Sequence, residues 1–174
     1  LNQALAEIAG ENYVISNEER HLYEGRPTKN KLQILTDNKK LDRHLYERIF
    51  DLKQIYTKEK LQHLQRNDRL VELFTTLHEN NSIAVVTNCV RETAEIMLEK
   101  IGVKHLVHLL VCASDGFRQK PESDMYKYVM EKLGYVRART IIFEDSDIGW
   151  SAAHFSGANV IRVSNPTDID DRLI

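Results

Sequence analysis

Apolar residues recur at helical spacing through the first third of the chain, and beyond it the rhythm breaks into short apolar runs alternating with glycine-closed helical stretches. Leu5, Ile8 and Ala9 form one apolar face that stops at Gly10. Leu32 and Leu35 resume the pattern after the break Gly25-Arg26-Pro27-Thr28, and Leu41, Leu45, Ile49, Leu52 and Ile55 carry it through a long helix. No strand pattern occurs before about residue 67, which predicts a small helical bundle over residues 1–67. Asp68 then opens a helix carrying Leu70, Leu73, Phe74 and Leu77, and the pair Asn80-Asn81 ends it.

The remainder alternates. Strands are expected at 83–86, 107–112, 141–143 and 159–163, with helices over 91–101, 121–133 and 148–155 that end at Gly102, Gly134 and Gly157. Short apolar strands joined through helices predict right-handed βαβ units around a parallel sheet. The predicted fold class is therefore α/β, a Rossmann-like parallel sheet core over residues 68–174 with a helical bundle before it. The tail from Ser164 is polar and is expected to run over the surface.

Composition narrows the function classes. The 174 residues are 42% hydrophobic and 29% charged, as in a globular domain, and 24 basic against 26 acidic residues give a net charge of -2. No global basic field attracts nucleic acid or an anionic membrane, and no apolar run approaches the ~20 residues of a membrane span. Cys89 and Cys112 form no C-x-x-C pattern, so a reducing, cytoplasmic setting is the expectation. There is no P-loop, no G-x-G-x-x-G and no G-x-S-x-G, which counts against nucleotide-dependent and serine-hydrolase chemistry.

In a parallel sheet the loops after the strands share one crevice. Those loops carry Thr87-Asn88, then Lys120 in ASDGFRQKP, then Glu144-Asp145 at the end of TIIFED. A hydroxyl, an amide, an ammonium and two carboxylates in one crevice suit a phosphate held together with a divalent cation. Each element also has a plainer reading: Asn88 could cap the following helix, Lys120 could be a solvated lysine, and Glu144 and Asp145 could complement a helix start. Lys120 precedes Pro121, which fits a first helical position and would set the ammonium at the positive end of a helix, where it needs an anion nearby.

These stretches resemble the motifs of the haloacid dehalogenase superfamily, in the branch that includes β-phosphoglucomutase and phosphoglycolate phosphatase. VVTN at 85–88 is similar to the second motif, Lys120-Pro121 to the third, and FEDSDIGWSAAHFSGA at 143–158 to the fourth, while YEGRPT at 23–28 resembles a turn of the helical cap. The resemblance implies Mg²⁺-dependent phosphoryl transfer on a small phosphorylated metabolite such as a sugar phosphate or phosphoglycolate. Thr87, Asn88 and Lys120 would bind the phosphoryl group, and Thr87 and Lys120 would act in catalysis. Asp145, assisted by Glu144, would hold Mg²⁺, and Arg26, Thr28 and Lys29 of the cap are candidate substrate contacts, with ordinary surface polarity the alternative. A monomer that binds neither nucleic acid nor membrane is expected. The family's nucleophile motif, a strand ending in Asp-x-Asp-Gly, is expected upstream of Leu1, because neither Asp145-Ser146-Asp147 nor Asp168-Ile169-Asp170 replaces it. A non-catalytic relative whose crevice binds an anion or another protein but transfers nothing is the competing reading; a phospho-acceptor receiver domain fits less well, given the helical insertion and Thr87-Asn88.

Overall fold

The computed structural model describes residues 1–164, 168 and 169. Most of the polar tail, including Asp170, lies outside the described residues. The chain divides into two compact units, Leu1–His63 and Leu64–Ile174.

The first unit is helical: α1 (Asn2–Ile8), α2 (Thr28–Lys39) and α3 (Tyr46–Gln62), with two 3-10 turns between α1 and α2 and one between α2 and α3. The apolar positions read from spacing form its core, with Ala4, Leu5, Tyr23, Leu32, Leu35, Leu41 and Ile49 buried together. Fully burying one such aliphatic side chain stabilises by roughly 1.5–3 kcal/mol, so this set is enough to order three short helices that would be marginal in isolation. The expected continuous helix from Leu41 is interrupted. Lys40 adopts a left-handed conformation (φ 61) as the C-cap of α2, and Asp42 accepts a hydrogen bond from the His44 amide, so a 3-10 turn at Arg43–Leu45 precedes α3.

The second unit begins with α4 (Asp68–His78), whose N-cap Asn67 accepts the Leu70 amide at 3.0 Å. There follow β1 (Ala84–Thr87), α5 (Arg91–Ile101), β2 (Leu109–Cys112), α6 (Asp124–Leu133), β3 (Ile141–Glu144), α7 (Asp147–Ser156) and β4 (Asn159–Arg162). Gly102, Gly134 and Gly157 close α5, α6 and α7 in the left-handed region, as their positions after apolar helices predict. The strands pair in parallel, β1 with β2 in the register Thr87 opposite Cys112, and β3 with β4 in the register Glu144 opposite Arg162.

Among the described residues these are two separate two-stranded sheets, not one. Residues 82–86 from the β1 side and 140–144 from the β3 side line one cavity of about 400 Å³, together with Phe74 and Leu77 of α4 and Val129 and Met130 of α6. β1 is accordingly only partly buried along its whole length, although its sequence AVVT reads as an interior strand.

The helix after the β2 loop starts later than its sequence implies. Pro121 follows a cis peptide bond in a turn closed by the Glu122 amide on the Gln119 carbonyl at 2.9 Å, and α6 begins at Asp124. Pro121 is therefore not a first helical residue. Lys120 is placed by the turn, not by the end of a helix. Among the described residues no helix is long and apolar enough to cross a membrane.

Candidate active site

The carboxyl ends of β1 and β3 are tied to each other through Lys120. The residue is 7% exposed, and its ammonium donates to the Val86 carbonyl of β1 at 2.9 Å and to Glu144 Oε1 at the end of β3. Glu144 is buried to 6% exposure, and the same oxygen accepts the Tyr126 hydroxyl from α6. The Lys120 ammonium also lies 5.0 Å from the Tyr126 ring centroid, within cation–π range. A buried ion pair is tolerated only when its remaining polar capacity is satisfied, and here a backbone carbonyl and a neutral hydroxyl supply that. Burial first, and then the negative charge and hydrogen bond of Glu144, push the Tyr126 hydroxyl well above its ordinary value, so Tyr126 remains a donor.

Asn88 holds the same lysine from its backbone. The Lys120 amide donates to Asn88 Oδ1 at 3.2 Å and Asn88 Nδ2 donates to the Lys120 carbonyl at 3.3 Å, a reciprocal clasp between the β1 and β2 loops. Asn88 does not cap α5, whose N-cap is Val90. Thr87 ends β1 in the same loop, and its hydroxyl accepts the Cys89 amide at 3.1 Å.

The loop after β2 is fixed by Arg91. Its guanidinium donates to Asp115 through Nε and Nη2, at 3.1 and 2.6 Å, and to the Leu110 carbonyl at 2.9 Å, while Asp115 accepts the Cys112 amide at 2.9 Å. Burial works against the Asp115 charge, but hydrogen bonds from Arg91 and the Cys112 amide together outweigh it and hold the carboxyl below its ordinary value. Burial likewise pushes the Cys112 thiol up to about 11, leaving it a small apolar filler rather than a nucleophile.

The fourth motif places its two carboxylates differently. Glu144 points into the protein toward Lys120, and Asp145, one residue on, is exposed. Ser146 caps α7 by accepting the Gly149 amide at 3.2 Å. Gly149 is buried beneath Glu144, and a Cβ at that position would lie 1.9 Å from Glu144 Oε2. The residue at 149 must therefore lack a side chain for the carboxylate to reach Lys120.

The structure thus joins Lys120, Asn88 and Glu144 by direct bonds, with Thr87 and Asp145 as chain neighbours of that cluster. Arg26, Thr28 and Lys29 belong to the helical unit, where Arg26 Nε is bonded to the Leu22 carbonyl at 2.8 Å. A cavity of about 460 Å³ in that unit is lined instead by Arg20, Lys31, Lys53 and Lys60, among others. Two residues of the crevice escaped the sequence reading. Tyr126 sits among Met125, Val129 and Met130 on the apolar face of α6, where the one available signal is that a tyrosine on a buried face needs a partner for its hydroxyl. Gly149 could have been found as a glycine inside a helix pattern that needs a packing reason.

For magnesium, the donor chemistry is one exposed carboxylate, Asp145, beside a carboxylate already bonded to Lys120 and Tyr126. The described residues contain no cluster of three or more His, Cys, Asp or Glu side chains able to hold a metal. This fits an ion that takes one or two protein oxygens and completes its shell with water and substrate phosphate, and does not fit an all-protein cage.

A parallel α/β unit whose strand ends meet at a buried lysine–carboxylate pair, in a chain that also carries a helical unit, is a Rossmann-like architecture in which ligands bind at the carboxyl ends of the strands. Residues 1–163 match the family model described as haloacid dehalogenase-like hydrolase, and the chain belongs to that family. Among curated proteins it is similar to the fructose-1-phosphate phosphatase of Escherichia coli, 28% identical over 94 residues covering 54% of this chain and 50% of that protein. It is also similar to the chloroplastic 5-amino-6-(5-phospho-D-ribitylamino)uracil phosphatase of Arabidopsis thaliana, 30% identical over 94 residues covering 53% of this chain and 25% of that protein. The chain spans half or less of the length of these relatives. Among solved structures, β-phosphoglucomutase from Clostridium difficile superposes with a TM-score of 0.81 at 13% identity, covering 99% of this chain and 84% of that one. The protein CbbY of Rhodobacter sphaeroides, in complex with xylulose-1,5-bisphosphate, superposes with a TM-score of 0.76 at 18% identity over 94% of this chain and 76% of that one. At these identities the likeness establishes the fold, a Rossmann-like parallel α/β core with a helical portion.

Proposed function

We propose that the protein to which this chain belongs is a Mg²⁺-dependent phosphatase or phosphomutase acting through an aspartyl-phosphate on a small phosphorylated metabolite, a sugar phosphate or phosphoglycolate being the favoured class. The observation that carries this reading is Lys120, a buried ammonium fixed where two parallel strands end. A cation held in a dry, preorganised position is suited to the charge of a transferring phosphoryl group, since such transfer is mostly positioning and electrostatic stabilisation.

Lys120 neutralises a phosphoryl oxygen, and Thr87 and the amides of its loop orient the group. Asp145 would hold Mg²⁺, which when bound would supply further neutralisation of phosphate charge. The nucleophilic carboxylate comes from a strand seated between β1 and β3, a placement supported by the cavity these two strands line. Its oxygen attacks phosphorus as the substrate P–O bond breaks and the leaving alcohol takes up a proton; water then releases phosphate and regenerates the carboxylate, or a second substrate hydroxyl accepts the group in a mutase. The helical unit would be the cap of this family, and within it a basic cavity is lined by Lys31, Lys53 and Lys60 among others.

The test is phosphate release by the full-length protein from p-nitrophenyl phosphate and a panel of metabolite phosphates, with Mg²⁺ and with EDTA. Metal-dependent release is expected, and Asp145→Ala is expected to abolish it while leaving the folded state intact. Phosphate binding without release from any substrate would favour a non-catalytic anion-binding protein.

A further inference from the structure

We propose that Tyr126 is a positioning residue of this site, the hydroxyl that holds the Glu144 carboxylate in place and thereby fixes where the Lys120 ammonium can donate. The proposal rests on the phosphoryl-transfer reading for its consequence and on geometry for its existence. Lys120 has three N–H donors. One is on the Val86 carbonyl and one on Glu144 Oε1, which leaves a single donor to turn toward a substrate oxygen. Glu144 sets that direction, and it cannot set it alone. A carboxylate hanging from the end of β3 has rotational freedom about its last torsion, and three neighbours remove it: Lys120, Tyr126 and Gly149, against which the second oxygen lies.

Tyr126 is the neutral member. It adds a hydrogen bond to the carboxylate without adding charge, so the ammonium is not shared with a second anion or repelled by a second cation. Its ring also flanks the ammonium at 5.0 Å and is itself packed against Ile142, Ala152 and Ala153, so the hydroxyl is delivered from a rigid wall formed by α6, β3 and α7. Removal of the hydroxyl alone keeps that wall and releases the carboxylate.

The experiment is Tyr126→Phe in the full-length protein, with two readouts. Hydrogen bonds to charged groups are worth enough that the Lys120–Glu144 pair is expected to open about ten-fold more often without the hydroxyl. Acylation of Lys120 by a small amine reagent, followed by peptide mass spectrometry and normalised to alkylation of the fully buried Cys112, is expected to rise by about that factor. In turnover, kcat is expected to fall by about ten-fold with KM little changed, because the lost alignment matters where charge develops. Tyr126→Leu, which removes ring and hydroxyl, should raise both labelling rates together through general loosening.

An unchanged Lys120-to-Cys112 labelling ratio in Tyr126→Phe, or an unchanged kcat in an active protein, would overturn the assignment and leave Tyr126 a packing residue. A raised ratio in a protein that turns over no phosphate ester would instead sink the phosphoryl-transfer reading while keeping the clamp.

Discussion

Replacing Gly149 by alanine sets two opposed effects against each other at one position. Gly149 lies in the first turn of α7, its φ is not positive, and alanine is the better helix former by about 0.8–1.0 kcal/mol. On propensity alone Gly149→Ala stabilises the protein. Against this, the new Cβ would stand 1.9 Å from Glu144 Oε2, 2.4 Å from Cδ and 2.8 Å from Oε1, all far inside van der Waals contact. The obstacle is not the loose end of a surface side chain. It is a buried carboxylate held on its other oxygen by Lys120 and Tyr126, so relief requires breaking that arrangement. Disrupting one side of a buried ion pair costs about 3–5 kcal/mol, and subtracting the propensity gain leaves a net loss of ~2–4 kcal/mol. Urea unfolding curves of the two proteins should show a lower midpoint at similar slope. In a Glu144→Ala background the clash is gone, and the same Gly149→Ala change should be neutral or stabilising by up to about 1 kcal/mol. A neutral or stabilising effect in the wild-type background would refute the placement of the Glu144 carboxylate over α7.

Three further outcomes are expected. Asn88→Ala removes both hydrogen bonds to the Lys120 backbone and should cost roughly 1–3 kcal/mol in urea unfolding, with kcat reduced because the lysine turn loosens. Asp115 is held below its ordinary value of 3.8, so in acid the unfolded chain binds a proton before the folded one does. Its contribution to stability is complete above that value and is lost as the pH falls below it toward the depressed folded value; Asp115→Asn should flatten this part of the acid-unfolding profile, and an unchanged profile would count against the Arg91–Asp115 clamp. With its thiol pushed up to about 11 and its side chain buried, Cys112 should resist alkylation at pH 8 in the folded protein and react only on unfolding, whereas rapid native-state modification would contradict its burial.

How much of this was legible in the sequence differs by element. The βαβ alternation was, because three apolar helices each closed by a glycine leave little choice of period, and Gly102, Gly134 and Gly157 do adopt left-handed caps. The start of α6 was not: Lys120-Pro121 carries the local signature of a first helical turn, and the turn closed by Glu122 and Gln119 displaces the helix to Asp124. The crevice residues could be listed from strand ends alone, but their roles could not. Asn88 before a helix reads as a cap, and only the fold shows the Lys120 backbone within its reach. Glu144 and Asp145 are adjacent in sequence and equal in charge, yet Glu144 is the last residue of β3 and is buried against a lysine while Asp145, just past the strand, is exposed.

That divergence has a consequence for how the site works. If both carboxylates faced the crevice, they would compete for the same cation and hold Lys120 between them. Because Glu144 turns inward, its charge is matched at close range by Lys120 and does not reach into the crevice unopposed. Asp145 stays exposed, and one N–H of Lys120 remains beyond those given to Val86 and Glu144, which is the arrangement the proposed function requires. The pair is therefore a fixed arrangement at the end of β3 whose remaining directional feature toward the crevice is the third N–H of Lys120. Gly149, by having no side chain, and Tyr126, by having a neutral one, are what allow that inward turn.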